Sequence, residues 1–348
     1  MSEFAVRLAN GKTFGAGAHT TLLDAAQSAG LTLAHGCRTG RCGSCKTRVQ
    51  HGRTQRIAAE SCLSEHERQQ GWVLTCADAA AEDLVLEGED LAALEGIVPR
   101  MLPARIDTLQ PLSEDVLRVV LRLPPASALR YLAGQYLNLI GPGGLRRSYS
   151  MANAPQADGR LEFFIRRVAG GAMSDYWFQR AAVNDLLRID GPRGGFYLRE
   201  PAGRDLLLLA TGTGIGPIKA LLEALACSAV APRSIALFWG GRTPADLFWA
   251  PPSTGLPLVY TPVLSRAGSD WSGARGHVQQ ALLRTRPDWT RADVYACGSS
   301  AMVADAQQAL AAAGLPAGRF HADAFVSSAA PAAAPAIRPP TPAEITTP

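Results

Sequence analysis

The chain has 348 residues, too many for one ordinary core, and 47% of them are apolar, so two or three domains are expected. The net charge is only +4, and no dense basic stripe with interleaved aromatics occurs, which sets nucleic-acid binding aside. Apolar runs such as Leu206–Ala210 are far too short for a membrane span, and Met1–Arg7 carries an early acid where a signal peptide would not. A cytoplasmic location with reduced thiols is therefore expected.

Residues 1–88 read as one unit. Phe4–Leu8 alternates, Gly11-Lys12 is a turn, and Thr13-Phe14 begins a return strand. Thr21–Gly30 reads as a short helix with Thr20 or Thr21 as its cap and Gly30 as its stop. A linker of mixed charge over 89–103 ends in proline. From 104 to 201, Val116–Leu123, Leu137–Ile140 and Leu161–Ile165 are predicted strands, separated by turns such as Gly141-Pro142-Gly143-Gly144, the pattern of an antiparallel barrel.

From 205 to 326 the pattern switches to strand and helix in alternation. Leu206–Ala210, Ser234–Trp239, Leu258–Tyr260 and Asp293–Ala296 are predicted strands, and Pro217–Ala226 and Val303–Ala313 predicted helices, which argues an α/β unit with a parallel sheet. Residues 327–348 are mostly Ala, Pro and Thr, a composition expected to stay disordered.

Five of the seven cysteines precede residue 80. Cys37, Cys42, Cys45 and Cys76 are spaced C-x4-C-x2-C with a distant fourth, the plant-type spacing for a [2Fe–2S] centre. A zinc site would need a second C-x2-C pair, a Rieske site two histidines, and a disulfide framework an even, spread-out count. Gly36, Gly40 and Gly43 leave room for backbone amides to approach the sulfurs. Cys62 is surplus and reads as a small buried residue. Arg38, Arg41, Lys46, Arg48, Arg53 and Arg56 crowd the same stretch with no acid from Cys37 to Arg56. They read either as a solvated face or as a cationic rim for an acidic docking face on a partner.

The loop His35–Cys45 resembles the ferredoxin family, and Arg147-Ser148-Tyr149-Ser150 matches the R-x-Y-S motif of ferredoxin–NADP reductases. That resemblance implies that Arg147 pairs with a flavin pyrophosphate, Tyr149 lies on the isoalloxazine and Ser150 hydrogen-bonds near N5. Gly170, Gly171, Met173 and Ser174 look like the second phosphate-contacting element of that family, and Gly191–Phe196 like its barrel-closing turn; together they favour FAD over FMN. Thr211-Gly212-Thr213-Gly214-Ile215-Gly216-Pro217 follows a buried strand and opens a helix, as phosphate-binding loops do. Its third glycine comes one residue too early for the Rossmann fingerprint, and no ribose-binding acid ends the second strand.

Both departures suit the reductases. Cys297-Gly298 and Asp323-Ala324-Phe325 resemble their nicotinamide-side cysteine and terminal aromatic, which implies a catalytic set of Ser150, Cys297 and Phe325. Arg242, Ser265 and Arg266 suit a 2′-phosphate, and both NADH and NADPH stay open. In domain order the chain resembles the fused reductases that serve benzoate dioxygenase and CDP-6-deoxy-glucoseen chemistry. The resemblance implies a β-grasp [2Fe–2S] domain, an antiparallel FAD barrel and an α/β NAD(P) domain. It also implies single-electron delivery to a partner protein, either a sugar 3-dehydrase or an oxygenase component.

Overall fold

A computed structural model describes residues 3–125, 127–253 and 255–326; the Ala/Pro stretch 327–348 lies outside the described residues. In the first unit, Glu3–Leu8 pairs antiparallel with Thr13–Gly17 and parallel with Leu84–Leu86, and Lys46–His51 and Trp72–Leu74 complete a five-stranded sheet. The helix Leu22–Ser28 buries Leu22, Leu23, Ala25 and Ala26 beneath that sheet. Thr21 is its cap, its side chain accepting from the Asp24 N–H at 3.1 Å. This β-grasp frame leaves residues 34–44 as an irregular loop at one end.

The second unit is a six-stranded antiparallel sheet in the order Arg146–Ser150, Tyr136–Ile140, Leu186–Arg193, Arg100–Ser113, Val116–Arg122, Leu161–Arg166. Alternate residues such as Ile106, Leu121, Leu137, Leu139 and Phe163 turn inward to make the barrel core. The first long strand starts inside the stretch expected as linker, because Arg100–Pro103 pair with Arg188–Gly191.

The third unit is a six-stranded sheet, parallel throughout, in the order Ala274–Arg275, Leu258–Leu264, Ser234–Gly241, Asp205–Thr211, Ala292–Ser299, Phe320–Phe325. Leu206 and Leu208 pack with the helix Ile215–Ala226 on one face. Leu207 and Leu209 pack with Val278–Arg284 and Ser300–Ala312 on the other. A strand covered on both faces explains the unbroken apolar run in the sequence. Among the described residues no helix is long and apolar enough to cross a membrane.

The second and third units are locked by charge. Lys219, on the helix Ile215–Ala226, donates to the Ala152 carbonyl (2.8 Å) and to Glu223 (2.6 Å) and Glu162 (3.2 Å), and Arg118 also holds Glu162. Lys219 and Glu162 are 13% and 12% exposed, so removing the cation strands desolvated carboxylates. Lys219→Met is therefore expected to destabilise the chain by about 2–3 kcal/mol, read as a lower urea midpoint; an unchanged midpoint counts against the lock.

Candidate functional site

The cluster loop turns through left-handed backbone at Arg38, Gly40 and Gly43, and this aims its amides at sulfur. The Cys37 N–H donates to Cys42 Sγ (3.2 Å) and the Thr39 N–H to Cys37 Sγ (3.4 Å), while the Gly40 amide points at Cys76. The thiols form two couples. Cys45 Sγ stands 3.2 Å from Cys76 Sγ, and Cys37 interacts with Cys42. The Cys42 thiol draws the Cys37 pKa down, and Cys37 in turn pushes Cys42 up. Among the described residues no three His, Cys, Asp or Glu side chains gather to hold one metal ion. Two couples suit a two-iron centre held by four thiolates, so the donor set fits a [2Fe–2S] cluster.

Beside this loop lies a cavity of about 530 Å³, within the range of cofactor sites. Gly36, Cys37, Thr39 and Arg41 line one end, the strand Arg146–Ser150 forms a wall, and Asp323 and Phe325 come from the edge strand of the third unit. Tyr149 stands edge-on to Trp177, and its hydroxyl accepts the indole N–H at 3.2 Å. Burial raises its phenol to about 12, so it stays neutral. Ser150 Oγ donates to Asp323 Oδ2 at 2.9 Å. Burial lifts the Asp323 carboxyl to about 6, partly offset by that hydrogen bond. Cations at Arg146, Arg147 and Arg166 with aromatics at Tyr149 and Phe325 are the lining that a flavin dinucleotide needs.

A second cavity of about 540 Å³ opens at the phosphate loop, lined by Gly212, Thr213, Arg242, Asp246, Ser265, His277 and Gln279 among others. Arg166, Thr213 and Phe325 line both cavities, so one wall separates them. Burial works against ionisation of Asp246, yet the Thr243 and Arg242 amides and the Arg242 guanidinium hold it down to about 2. Arg166 reaches Asp246 and Asp115, each at 3.5 Å.

The sequence-predicted residues divide. Arg147, Tyr149, Ser150 and Phe325 line the first cavity, and Gly212, Thr213, Arg242, Ser265 and Phe325 the second. Gly214, Gly216, Pro217, Cys297 and Gly298 lie off the cavity linings, and Cys297 is fully buried. Arg266 is exposed and off the lining. Met173 belongs to the barrel core, and buried Ser174 accepts the Val168 N–H at 2.7 Å. Of the segment 168–174, which includes Gly170 and Gly171, only Val168 reaches the first cavity. Arg166, Tyr136, Asp246 and Gln279 escaped notice because each sits alone, with no motif around it.

The basic loop is met by acids from elsewhere in the chain. Arg38 pairs with Asp24, Lys46 with Glu67, Arg53 with Glu82 and Arg56 with Glu60, acids brought from outside the loop. Replacing Cys37, Cys42, Cys45 or Cys76 by Ala is expected to abolish bound iron and sulfide, while Cys62→Ser retains them. Iron and labile-sulfide assay checks this, and loss in Cys62→Ser would overturn the ligand set.

The chain matches the family models for a 2Fe-2S iron-sulfur cluster binding domain over residues 8–80, an oxidoreductase FAD-binding domain over 103–197 and an oxidoreductase NAD-binding domain over 208–308. It is 37% identical to the CDP-6-deoxy-L-threo-D-glycero-4-hexulose-3-dehydrase reductase of Yersinia pestis, over 89% of this chain and 94% of that protein. It is 33% identical to the toluate 1,2-dioxygenase electron transfer component of Pseudomonas putida, over 89% and 93%. Among solved structures, the Amycolatopsis cytochrome P450 reductase GcoB covers 92% of this chain, and this chain covers 98% of it, with a TM-score of 0.70 and 29% identity. With two cavities sharing a wall and a cysteine loop at the far end of one, the chain belongs to the family of iron–sulfur flavoprotein reductases that join 2Fe-2S, FAD-binding and NAD-binding domains.

Proposed function

We propose that this reductase delivers electrons singly to a CDP-sugar 3-dehydrase in the cytoplasm, taking them as hydride from NADH or NADPH. The observation that carries the relay is that Cys37 and Phe325 bound one cavity, with the nicotinamide cavity behind Phe325. Bound FAD would supply the conversion from a two-electron to a one-electron donor. Arg147 and the cationic wall would hold its pyrophosphate, Tyr149 its ring, and Ser150 its N5 edge. Thr213 and the Gly212 turn would take the nicotinamide diphosphate, and Arg242 with Ser265 its ribose side.

The 37% identity to the Yersinia dehydrase reductase, against 33% to the toluate component, supports the dehydrase as partner. The second reading, an oxygenase component, rests on those oxygenase relatives. The partner's docking face is proposed to be acidic at the cluster loop, though the ion pairs there leave a shallower field than the sequence alone suggests.

Anaerobic addition of NADH, then NADPH, to purified protein is expected to bleach both flavin and cluster bands. Turnover with a purified 3-dehydrase and none with an oxygenase component supports the first partner; the reverse result replaces it with the second.

Protonation at Asp323 gives a pH test. When ionised, Asp323 takes the one Ser150 proton, leaving only lone pairs for the flavin edge. When protonated, it would leave Ser150 free to donate toward the edge of a bound flavin, which would favour that flavin's reduction. Flavin bleaching by NADH should therefore slow as pH rises through about 6, by up to roughly ten-fold for one hydrogen bond. Asp323→Asn should hold the fast, low-pH rate at every pH, and a wild-type profile flat from pH 5 to 8 refutes the coupling. The raised value also means that stability from this group falls as pH climbs from its ordinary 3.8 to about 6.

A further inference from the structure

The loop that carries Cys37 does not rest on its own domain alone. His35 bridges to the barrel: its carbonyl accepts the Gly195 N–H at 3.0 Å and its Nε2 the Gly194 N–H at 3.4 Å. Its Nδ1 lies 2.9 Å from the Leu33 carbonyl and donates there, which leaves Nε2 free to accept. The next residue makes the shortest of these links. The Tyr136 hydroxyl donates to the Gly36 carbonyl at 2.7 Å, one residue before Cys37. On the opposite side Ser44 Oγ donates to the Ala322 carbonyl at 3.4 Å.

Tyr136 differs from the other three links in where it stands. It lies in the strand Tyr136–Ile140, registered against Ser150 on one side and Arg193 on the other. Its side chain lines the flavin cavity together with Gly36 and Cys37, and it is only 7% exposed. One rigid side chain is thus both a wall of the cavity and the support of the peptide bearing the nearest cluster thiol.

We propose that Tyr136 is the positioning residue for electron transfer from flavin to cluster, fixing through Gly36 the gap that the electron crosses. This rests on the relay described above and goes beyond it. In each crossing the reduced flavin loses one electron and one cluster iron passes from ferric to ferrous, the pair having come from NADH or NADPH. Tyr136 keeps its proton, and no bond in the chain forms or breaks. Tunnelling falls steeply with distance, so a loop free to drift from the barrel slows this step more than it slows hydride transfer on the far side of the cavity.

Tyr136→Phe removes the hydroxyl and keeps the ring. Tyr131→Phe is the control, since Tyr131 is another buried barrel tyrosine bonded to a carbonyl, that of Asn153, away from the cluster loop. Two readouts apply. Amide hydrogen exchange of residues 34–44 should quicken by roughly five-fold in Tyr136→Phe, the value of one lost hydrogen bond, and stay unchanged in Tyr131→Phe. In anaerobic stopped flow with NADH, cluster bleaching should slow relative to flavin bleaching by at least about two-fold in Tyr136→Phe alone.

Unchanged exchange and an unchanged ratio overturn the proposal. Faster exchange with an unchanged ratio overturns it too, because the hydroxyl is then structural only. A wild-type protein that bleaches its flavin but never its cluster brings down the relay itself, a result distinct from either of these.

Discussion

The hydrogen bond from Ser150 to Asp323 joins the barrel to the edge strand of the parallel sheet in the lining of the flavin cavity, two residues from the Phe325 that both cavities share. Around it the architecture has little freedom. Phe325, two residues on, has to reach both cavities, and the strand Phe320–Phe325 can deliver it only if it stays in register with Ala292–Ser299. Cys37 has to reach the other end of the flavin cavity, which requires the ferredoxin unit to dock on the barrel and not elsewhere. Cofactors carry the redox chemistry, so the protein's task is to bring three separately folded units to one point.

The contacts that do this are polar. Lys219 with Glu162 and Glu223 fixes the helix after the phosphate loop against the barrel, and Arg166 spans Asp115 and Asp246 across the wall between the cavities. Half-buried ion pairs of this kind add little net stability, because desolvation offsets much of their attraction. What they add is direction: a guanidinium or ammonium between two carboxylates has one good position, whereas apolar surfaces slide. The apolar cores, one in the ferredoxin unit, one in the barrel and one on each face of the parallel sheet, supply the stability instead.

What the sequence revealed follows the same division. Cys37, Cys42 and Cys45, the run Arg147–Ser150 and the loop Thr211–Pro217 were legible because each chemistry is written in contiguous residues. The strand and helix alternation after Asp205 was legible because burial on two faces leaves an unmistakable apolar run. Arg166 and Tyr136 were not, since Asp246 and Gly36 reach them from other units, and Asp246 was not, since its bonds to Arg242 and Thr243 follow from a turn that no motif marks. The ion pairs of the basic loop were hidden as well, because its acids, Asp24, Glu60, Glu67 and Glu82, come from other segments. The side chains of Met173 and Ser174 serve the barrel core and the segment's own loop, packing that the Gly170–Ser174 motif does not announce.

The glycine spacing of the phosphate loop shows how a motif's departure can be physical. A Cβ on Gly214 would stand 2.2 Å from the Cys297 carbonyl oxygen, so that position must be glycine for the loop to lie against the neighbouring strand. A Cβ on Gly216 would stand 3.3 Å from Ala152 Cβ and 3.4 Å from Phe164, residues of the barrel. Neither glycine lines the nicotinamide cavity, whereas Gly212 does. Only one of the three therefore answers to a ligand. The other two answer to the neighbouring strand Ala292–Ser299 of the same sheet and to the flavin barrel, and only the second is a neighbour that a lone dinucleotide fold does not have. The glycine that departs from the fingerprint, Gly216, is thus the one that faces the barrel.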